Sequence, residues 1–459
     1  MLSSKTAAFA GFMAFSALSG VAATYNYAVA DPYGLPEPVM IDFDDDGVVG
    51  GLYRPNTTSP LSRIGVYVMH AEQDYLNFSA CHELPRRGFT TFCANNDASK
   101  SGYMTDINFE DMMTNVGQGM SYLRNLTEID KVVIFGHSGG GAMMTAYQNI
   151  AENGVKACNG PERIYPCSDA MADLPAADGL ILIDANYGLS TMALLSLNPA
   201  IVDEHSGAKI DQSLNLYNTA NGFSESGANY TQSFKKAFEK GVVARNNRIL
   251  KHAESRLAAI NNGSGIFSDD EPFYIVDSMY VGFNNKFFAQ DTRWIHHTTH
   301  PWPLLHRNGS STTQIVPSVR VPANFESFAD NFEGGALKTT IKRYLSTLAI
   351  RVTDDFEYKV DGFEGIVWNS SQTAPLGNIG GVTVPLLNMG NTGHYEYLNA
   401  EKLHLAAGSK DAEIAFVEGA QHTIVTCTEC ETYPGEYGNT LYTAYNYMAE
   451  WLSKEGRFL

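Results

Sequence analysis

The sequence predicts a doubly wound α/β fold, a mostly parallel sheet covered by helices, with a large, mainly helical cap inserted late in it. Three observations carry this. Short apolar runs alternate with helix-period segments over residues 39–186, the pattern of successive βαβ units. The same pattern resumes over 382–452. Between the two, from about 187 to 380, strand-like runs give way to helical spacing and an irregular aromatic stretch. The division that follows is a core of residues 31–186 and 381–459 around a cap of 187–380.

The elements can be taken in order. Residues 39–43 and 48–55 read as two strands around the turn Asp44-Asp45-Asp46-Gly47. Residues 64–70 form a continuous apolar run, as in a strand buried on both faces, and 88–94 make a fourth strand. Met112, Val116, Met120 and Leu123 mark a helix over 112–126. A fifth strand at 131–135 leads to a helix at 141–151, and 179–183 is the sixth strand. In the cap, Phe234, Phe238, Val242, Ile249, Leu257 and Ile260 space a helix over 230–260, with another at 337–350. Beyond it come a strand at 382–389, a helix at 400–407, a strand at 413–417 and a closing helix at 441–452.

Length and composition set the context. The 459 residues are 44% hydrophobic and 18% charged, ordinary for a globular protein, with no internal repeat. A formal charge of -19 would repel a phosphate backbone or an anionic membrane surface, so nucleic acid is excluded as a partner and a small-molecule substrate is expected. Oligomeric state is not legible. The first residues have the layout of a signal peptide: Lys5, a weakly apolar run over 7–22, then small residues, with cleavage after 23 or as late as 30. No later run reaches membrane length. Asn-x-Ser/Thr sequons at Asn56, Asn77, Asn125, Asn229, Asn262, Asn308 and Asn369 fit a glycosylated, secreted chain. So do six cysteines, for which the pairs closest in sequence are expected: Cys81 with Cys93, Cys158 with Cys167, and Cys427 with Cys430.

The chemistry is concentrated in Val132-Val133-Ile134-Phe135-Gly136-His137-Ser138-Gly139-Gly140-Gly141. A buried strand here runs into G-x-S-x-G and then a helix. So sharp a turn strains the central residue and lifts its hydroxyl clear of the sheet, and its neighbours must be small for the backbone to fit. No Lys-Ser/Thr pair follows the glycines, which argues against a phosphate loop.

This strand–serine–helix motif, the strand-end His70 and Glu418-Gly419-Ala420-Gln421-His422 together resemble the α/β-hydrolase superfamily, over roughly 39–186 and 382–452. The resemblance implies a serine hydrolase in which Ser138 is the nucleophile and His422, after the last strand, its general base. It implies an oxyanion hole made of the Gly139 amide and an amide of the loop His70-Ala71-Glu72-Gln73, with Glu72 expected as donor and Ala71 as the alternative. The triad acid stays open. Asp184 ends the sixth strand and is preferred; Glu396 and Glu401 follow the strand at 382–389, where the acid usually sits.

Two metal-like motifs have better structural readings. Asp42-x-Asp44-x-Asp46-Gly47 starts like a calcium loop but has Tyr53 at position twelve. His296, His297 and His300 have zinc-like spacing without a nearby carboxylate. No metal and no cofactor are expected. His137, Trp294, Trp302 and Phe325 are expected to shape the substrate pocket. The predicted activity is hydrolysis of an ester, lactone or related acyl bond; C–C bond or peptide hydrolysis by the same triad, or an inactive hydrolase fold used for binding, are the alternatives.

Overall fold

The apolar runs become strands wherever they are bounded by turn residues. In chain order these are β1 Val39–Asp42, β2 Val49–Tyr53, β3 Ile64–His70, β4 Thr90–Asn95, β5 Lys131–His137, β6 Gly179–Ile183, β7 Pro272–Ile275, β8 His297–Leu305, β9 Ser311–Pro317, β10 Leu337–Thr340, β11 Arg351–Lys359, β12 Gly362–Val367, β13 Leu386–Asn391 and β14 Ala412–Val417. They come from a computed structural model that describes residues 34–459 apart from 44–46, 101–105, 206–208, 225, 281–284 and 324–334. The expected leader, the 44–46 turn with its calcium-like motif, and Phe325 lie outside the described residues.

Ten strands join one sheet in the order β1-β2-β4-β3-β5-β6-β13-β14-β8-β9. Pairing is parallel from β4 through β14 to β8 and antiparallel at both ends. The doubly wound, mostly parallel sheet is therefore as expected. Period-two alternation splits its side chains between two cores. Tyr67, Met69, Ile134, Leu180 and Leu182 face one side; Val66, Val68, Phe135, Ile181 and Ile183 face the other. The helices Phe109–Arg124 and Gly139–Asn153 cover the first side, and Thr440–Leu452 covers the second. The first of these starts where Asn108 accepts a hydrogen bond from the Glu110 amide at 3.0 Å, and it buries the predicted stripe Met112, Val116, Met120 and Leu123.

Residues 187–380 differ from the expected helical cap. Their described residues hold the predicted long helix, Gln232–Asn261, but also six strands, β7 to β12. The segment expected as a helix over 337–350 begins instead as β10, antiparallel to β7. Leu337-Lys338-Thr339-Thr340 is buried at every second residue, and a pairing partner outweighs weak helical spacing. More consequentially, β8 and β9 form a hairpin that belongs to the main sheet, with Leu304 and Leu305 of β8 beside Phe416 and Val417 of β14. Pro301 and Pro303 hid this strand from the sequence. Both fall where β8 has only β9 registered beside it, so their missing N–H groups cost no bond to β14.

The cysteines pair as expected: Cys81–Cys93, Cys158–Cys167 and Cys427–Cys430. Native, unreduced protein should take up no alkylating reagent, and intact mass with and without reduction checks this. Several alkylated cysteines in the unreduced protein would contradict it. No helix among the described residues is long and apolar enough to cross a membrane.

Candidate active site

Strand order alone locates the site. From β3 the chain steps to β4 on one side and to β5 on the other, so a crevice opens at the carboxyl ends of β3 and β5. His70 ends β3 and Ser138 follows β5, while Asp184 follows β6, His394 follows β13 and His422 follows β14. These five parallel strands all contribute at the same edge.

Ser138 has φ 54° and ψ -128°, a conformation that L-residues avoid, and it begins the Gly139–Asn153 helix. Its carbonyl accepts from the Gly141 and Asn186 amides, each at 3.0 Å, which fixes the turn. The small neighbours are steric requirements. A Cβ on Gly136 would lie 2.5 Å from the Gly141 Cα, and one on Gly140 would lie 2.5 Å from the Met69 carbonyl oxygen.

His422 Nε2 lies 2.8 Å from Ser138 Oγ, and its Nδ1 lies 2.7 Å from Asp184 Oδ2. Asp184 is fully buried, and its second oxygen accepts from the Asn391 amide at 3.2 Å. Burial opposes its ionisation, but the charge and hydrogen bond of His394 and the hydrogen bond of His422 outweigh this and hold it well below the ordinary carboxylate range. Burial likewise works against a charged His422, yet Glu396 and Asp184 together raise it above an ordinary histidine. That order of basicity suits an imidazole that must take a proton from a hydroxyl.

The other two acid candidates stand differently. Glu396 Oε2 is 3.6 Å from His422 Nδ1, beyond hydrogen-bond reach, and burial pushes its carboxyl above the usual range. Glu401 is committed elsewhere: it accepts from the Thr299 and His300 amides, each at 2.9 Å, and from the Trp302 indole at 2.7 Å, tying its helix to β8.

Two expectations need correction. The Glu72 amide is not free for an oxyanion, because it donates to His70 Nδ1 at 3.0 Å, as the Gln73 amide does at 2.9 Å. What Glu72 brings to the site is its side chain. A Cβ on Gly139 would meet Glu72 Oε2 at 2.7 Å, and burial raises this carboxyl to about 7. His137 does not line a pocket. It is buried beside the His422 ring, donating from Nε2 to the His422 carbonyl at 2.5 Å while its Nδ1 is bonded to the Tyr75 hydroxyl. Burial and the neighbouring His422 lower it to about 3, so it stays neutral and clamps the His422 loop. Trp302 is tied to Glu401, and Trp294 lies under the Lys235 ammonium, 4.5 Å from its ring centre.

His394 was missed by sequence reasoning. Its Nδ1 lies 2.8 Å from Asp184 Oδ2, the oxygen that also receives His422. Burial and His422 lower it to about 4. The available signal was a histidine in the loop after a core strand, three residues past Asn391 at the end of β13. Among the described residues, Asp184, His394, Glu396 and His422 are also the group whose donor atoms could hold a metal ion, all within 4.8 Å of one another. The suspected zinc ligands make other bonds, His297 Nδ1 with the Thr298 carbonyl at 3.0 Å and His300 Nδ1 with Thr299 Oγ1 at 2.9 Å.

No family model and no curated protein matches the chain. Solved structures of low overall similarity include Est1E from Butyrivibrio proteoclasticus, with 11% identity over 91% of this chain and 98% of that one, at a TM-score of 0.39. A soluble variant of monoglyceride lipase from Saccharomyces cerevisiae shares 13% identity over 94% and 98%, at 0.38. The siderophore hydrolase EstB from Aspergillus fumigatus shares 10% over 92% and 99%, at 0.39. The sheet order β1-β2-β4-β3-β5-β6-β13-β14 and the Ser138 turn at the end of β5 give this chain the α/β-hydrolase fold.

Proposed function

We propose that the chain is a secreted serine hydrolase that cleaves an ester, lactone or related acyl bond of a small molecule through an acyl-enzyme. One observation carries the reading: a strained Ser138 whose hydroxyl meets His422 Nε2 at 2.8 Å, with Asp184 2.7 Å from the opposite ring nitrogen. His422 takes the hydroxyl proton as Ser138 attacks the acyl carbon, then returns it to the leaving oxygen; a water reverses the sequence. Asp184 keeps the proton on Nδ1, so that Nε2 is the basic nitrogen. The Gly139 amide, first in its helix, and the Ala71 amide are the proposed oxyanion donors.

Covalent labelling by a fluorophosphonate, mapped by peptide mass spectrometry, is expected at Ser138 alone. Labelling of another residue, or none on folded protein, would sink the reading. Beside Gly139 lie Phe109, Met112, Met113, Met143 and Leu189, around a cavity of about 10 Å³, scarcely enough for one water. A long acyl chain must push flexible methionines aside there. Among p-nitrophenyl esters, acetate to butyrate should therefore be hydrolysed faster than octanoate; a maximum at octanoate or longer would overturn this.

Secretion is part of the same proposal. All seven sequon asparagines are exposed, as glycan transfer requires. Mature protein from a eukaryotic host is expected to begin near Thr24 or Asp31 and to lose mass on enzymatic deglycosylation.

A further inference from the structure

We propose that Asp184, His394, Glu396 and His422 form a binding site for one Zn²⁺ ion, and that the ion silences Ser138 when it occupies the site. The silencing half rests on the triad reading above; the binding half does not.

The triad leaves two groups unexplained. Asp184 Oδ2 already orients His422, yet the same oxygen receives a second imidazole, His394, at 2.8 Å. Glu396 is 2% exposed and its Oε2 has no hydrogen-bond partner, although it lies 3.6 Å from His422 Nδ1. A buried carboxylate oxygen without a partner is costly, and a cation is the partner that would answer it.

Geometry and donor chemistry agree on the ion. The four donor atoms lie within 4.8 Å of one another. Ligands about 2.1 Å from one tetrahedral ion stand about 3.4 Å apart, so the widest gap must close by about 1.4 Å on binding. The His422 and His394 side chains, 29% and 12% exposed, open the site toward solvent, whereas the two carboxylates form a buried floor. Two imidazoles and two carboxylates suit Zn²⁺, while calcium and magnesium prefer six or more oxygens. Two carboxylate charges also cancel the charge of the dication, which a site this enclosed requires.

Binding would disable the base through its tautomer. The ion takes the lone pair of His422 Nδ1, and the proton now held there moves through solvent to Nε2. The nitrogen facing Ser138 then carries a hydrogen and cannot accept another. His394 shifts its proton in the same way, and any proton on Glu396 leaves to solvent. No bond to Ser138 is made or broken.

The test uses the full chain, ZnCl₂ as the only metal, and a buffer that does not coordinate it. Calorimetry is expected to show one Zn²⁺ per chain, bound alike by the native protein and by Ser138→Ala. Fluorophosphonate labelling of native protein should fall in step with occupancy, recover fully with EDTA, and be unaffected by Ca²⁺ or Mg²⁺ at the same concentration. Glu396→Gln and His394→Asn should each weaken zinc binding by on the order of tenfold or more, with melting curves confirming that both fold. Absence of stoichiometric binding would overturn the proposal. So would an affinity that neither variant changes, as for an ion held at His296, His297 and His300. Zinc binding to a metal-free protein that never labels would leave the site standing and remove its silencing role along with the triad.

Discussion

Replacing Ser138 by alanine is expected to lower turnover by on the order of a millionfold, about 8 kcal/mol of transition-state stabilisation. The loss is this large because, in the proposed mechanism, the hydroxyl is the group that forms the acyl-enzyme, and His422 has no other proton to take. What remains is the background supplied by binding and the oxyanion donors. Folding should be untouched, since alanine is no more strained than serine at φ 54°. Glycine tolerates that conformation without penalty, so Ser138→Gly should be equally inactive yet melt higher, stabilised by roughly 1 kcal/mol. Initial rates on a short-chain ester and thermal melting check both halves. An alanine variant with near-native turnover would end the serine mechanism; a glycine variant that melts lower would remove the strain.

The second large effect is expected at Asp184, the proposed triad acid. Asp184→Asn should reduce turnover by about a thousandfold or more with little change in melting, because an amide nitrogen facing His422 Nδ1 turns the imidazole to the wrong tautomer. Glu396→Gln should cost far less, since its oxygen is 3.6 Å from Nδ1 and makes no hydrogen bond there. Glu401→Gln should act on stability instead. It weakens the acceptor of the Thr299 and His300 amides and the Trp302 indole, and a loss of about 1–3 kcal/mol in unfolding free energy is expected with turnover largely kept. Near-full activity in Asp184→Asn with none in Glu396→Gln would move the assignment to the later loop.

How much of this was legible depended on how local the determinants were. Ile64–His70 and Gly179–Ile183 were read to the residue because a strand buried on both faces leaves an unbroken apolar run. Ser138 and His422 were legible because each is fixed by a short motif at a strand end. The Leu337–Thr340 strand was not, because its state is decided by β7, more than sixty residues earlier. The His297–Leu305 strand contains two prolines that sequence rules read as breakers. The Glu72 amide looked available because nothing in the sequence shows that the ring of His70 folds back to capture it. Three carboxylates competed for the acid role, and only folding separated the one that touches His422 from the one that anchors β8.

That anchoring has a practical corollary. Residues 187–380 look like a module that could be trimmed away to make a minimal enzyme, but two of its strands complete the principal sheet. Excision would strip β8 from β14 and leave Phe416 and Val417, the apolar end of that strand, as a bare edge, an invitation to pair with another molecule. The shortened chain should therefore precipitate rather than work faster. By the same token the hairpin and the sheet should melt as one cooperative unit, and truncation designs that keep residues 297–317 are the ones expected to stay monodisperse.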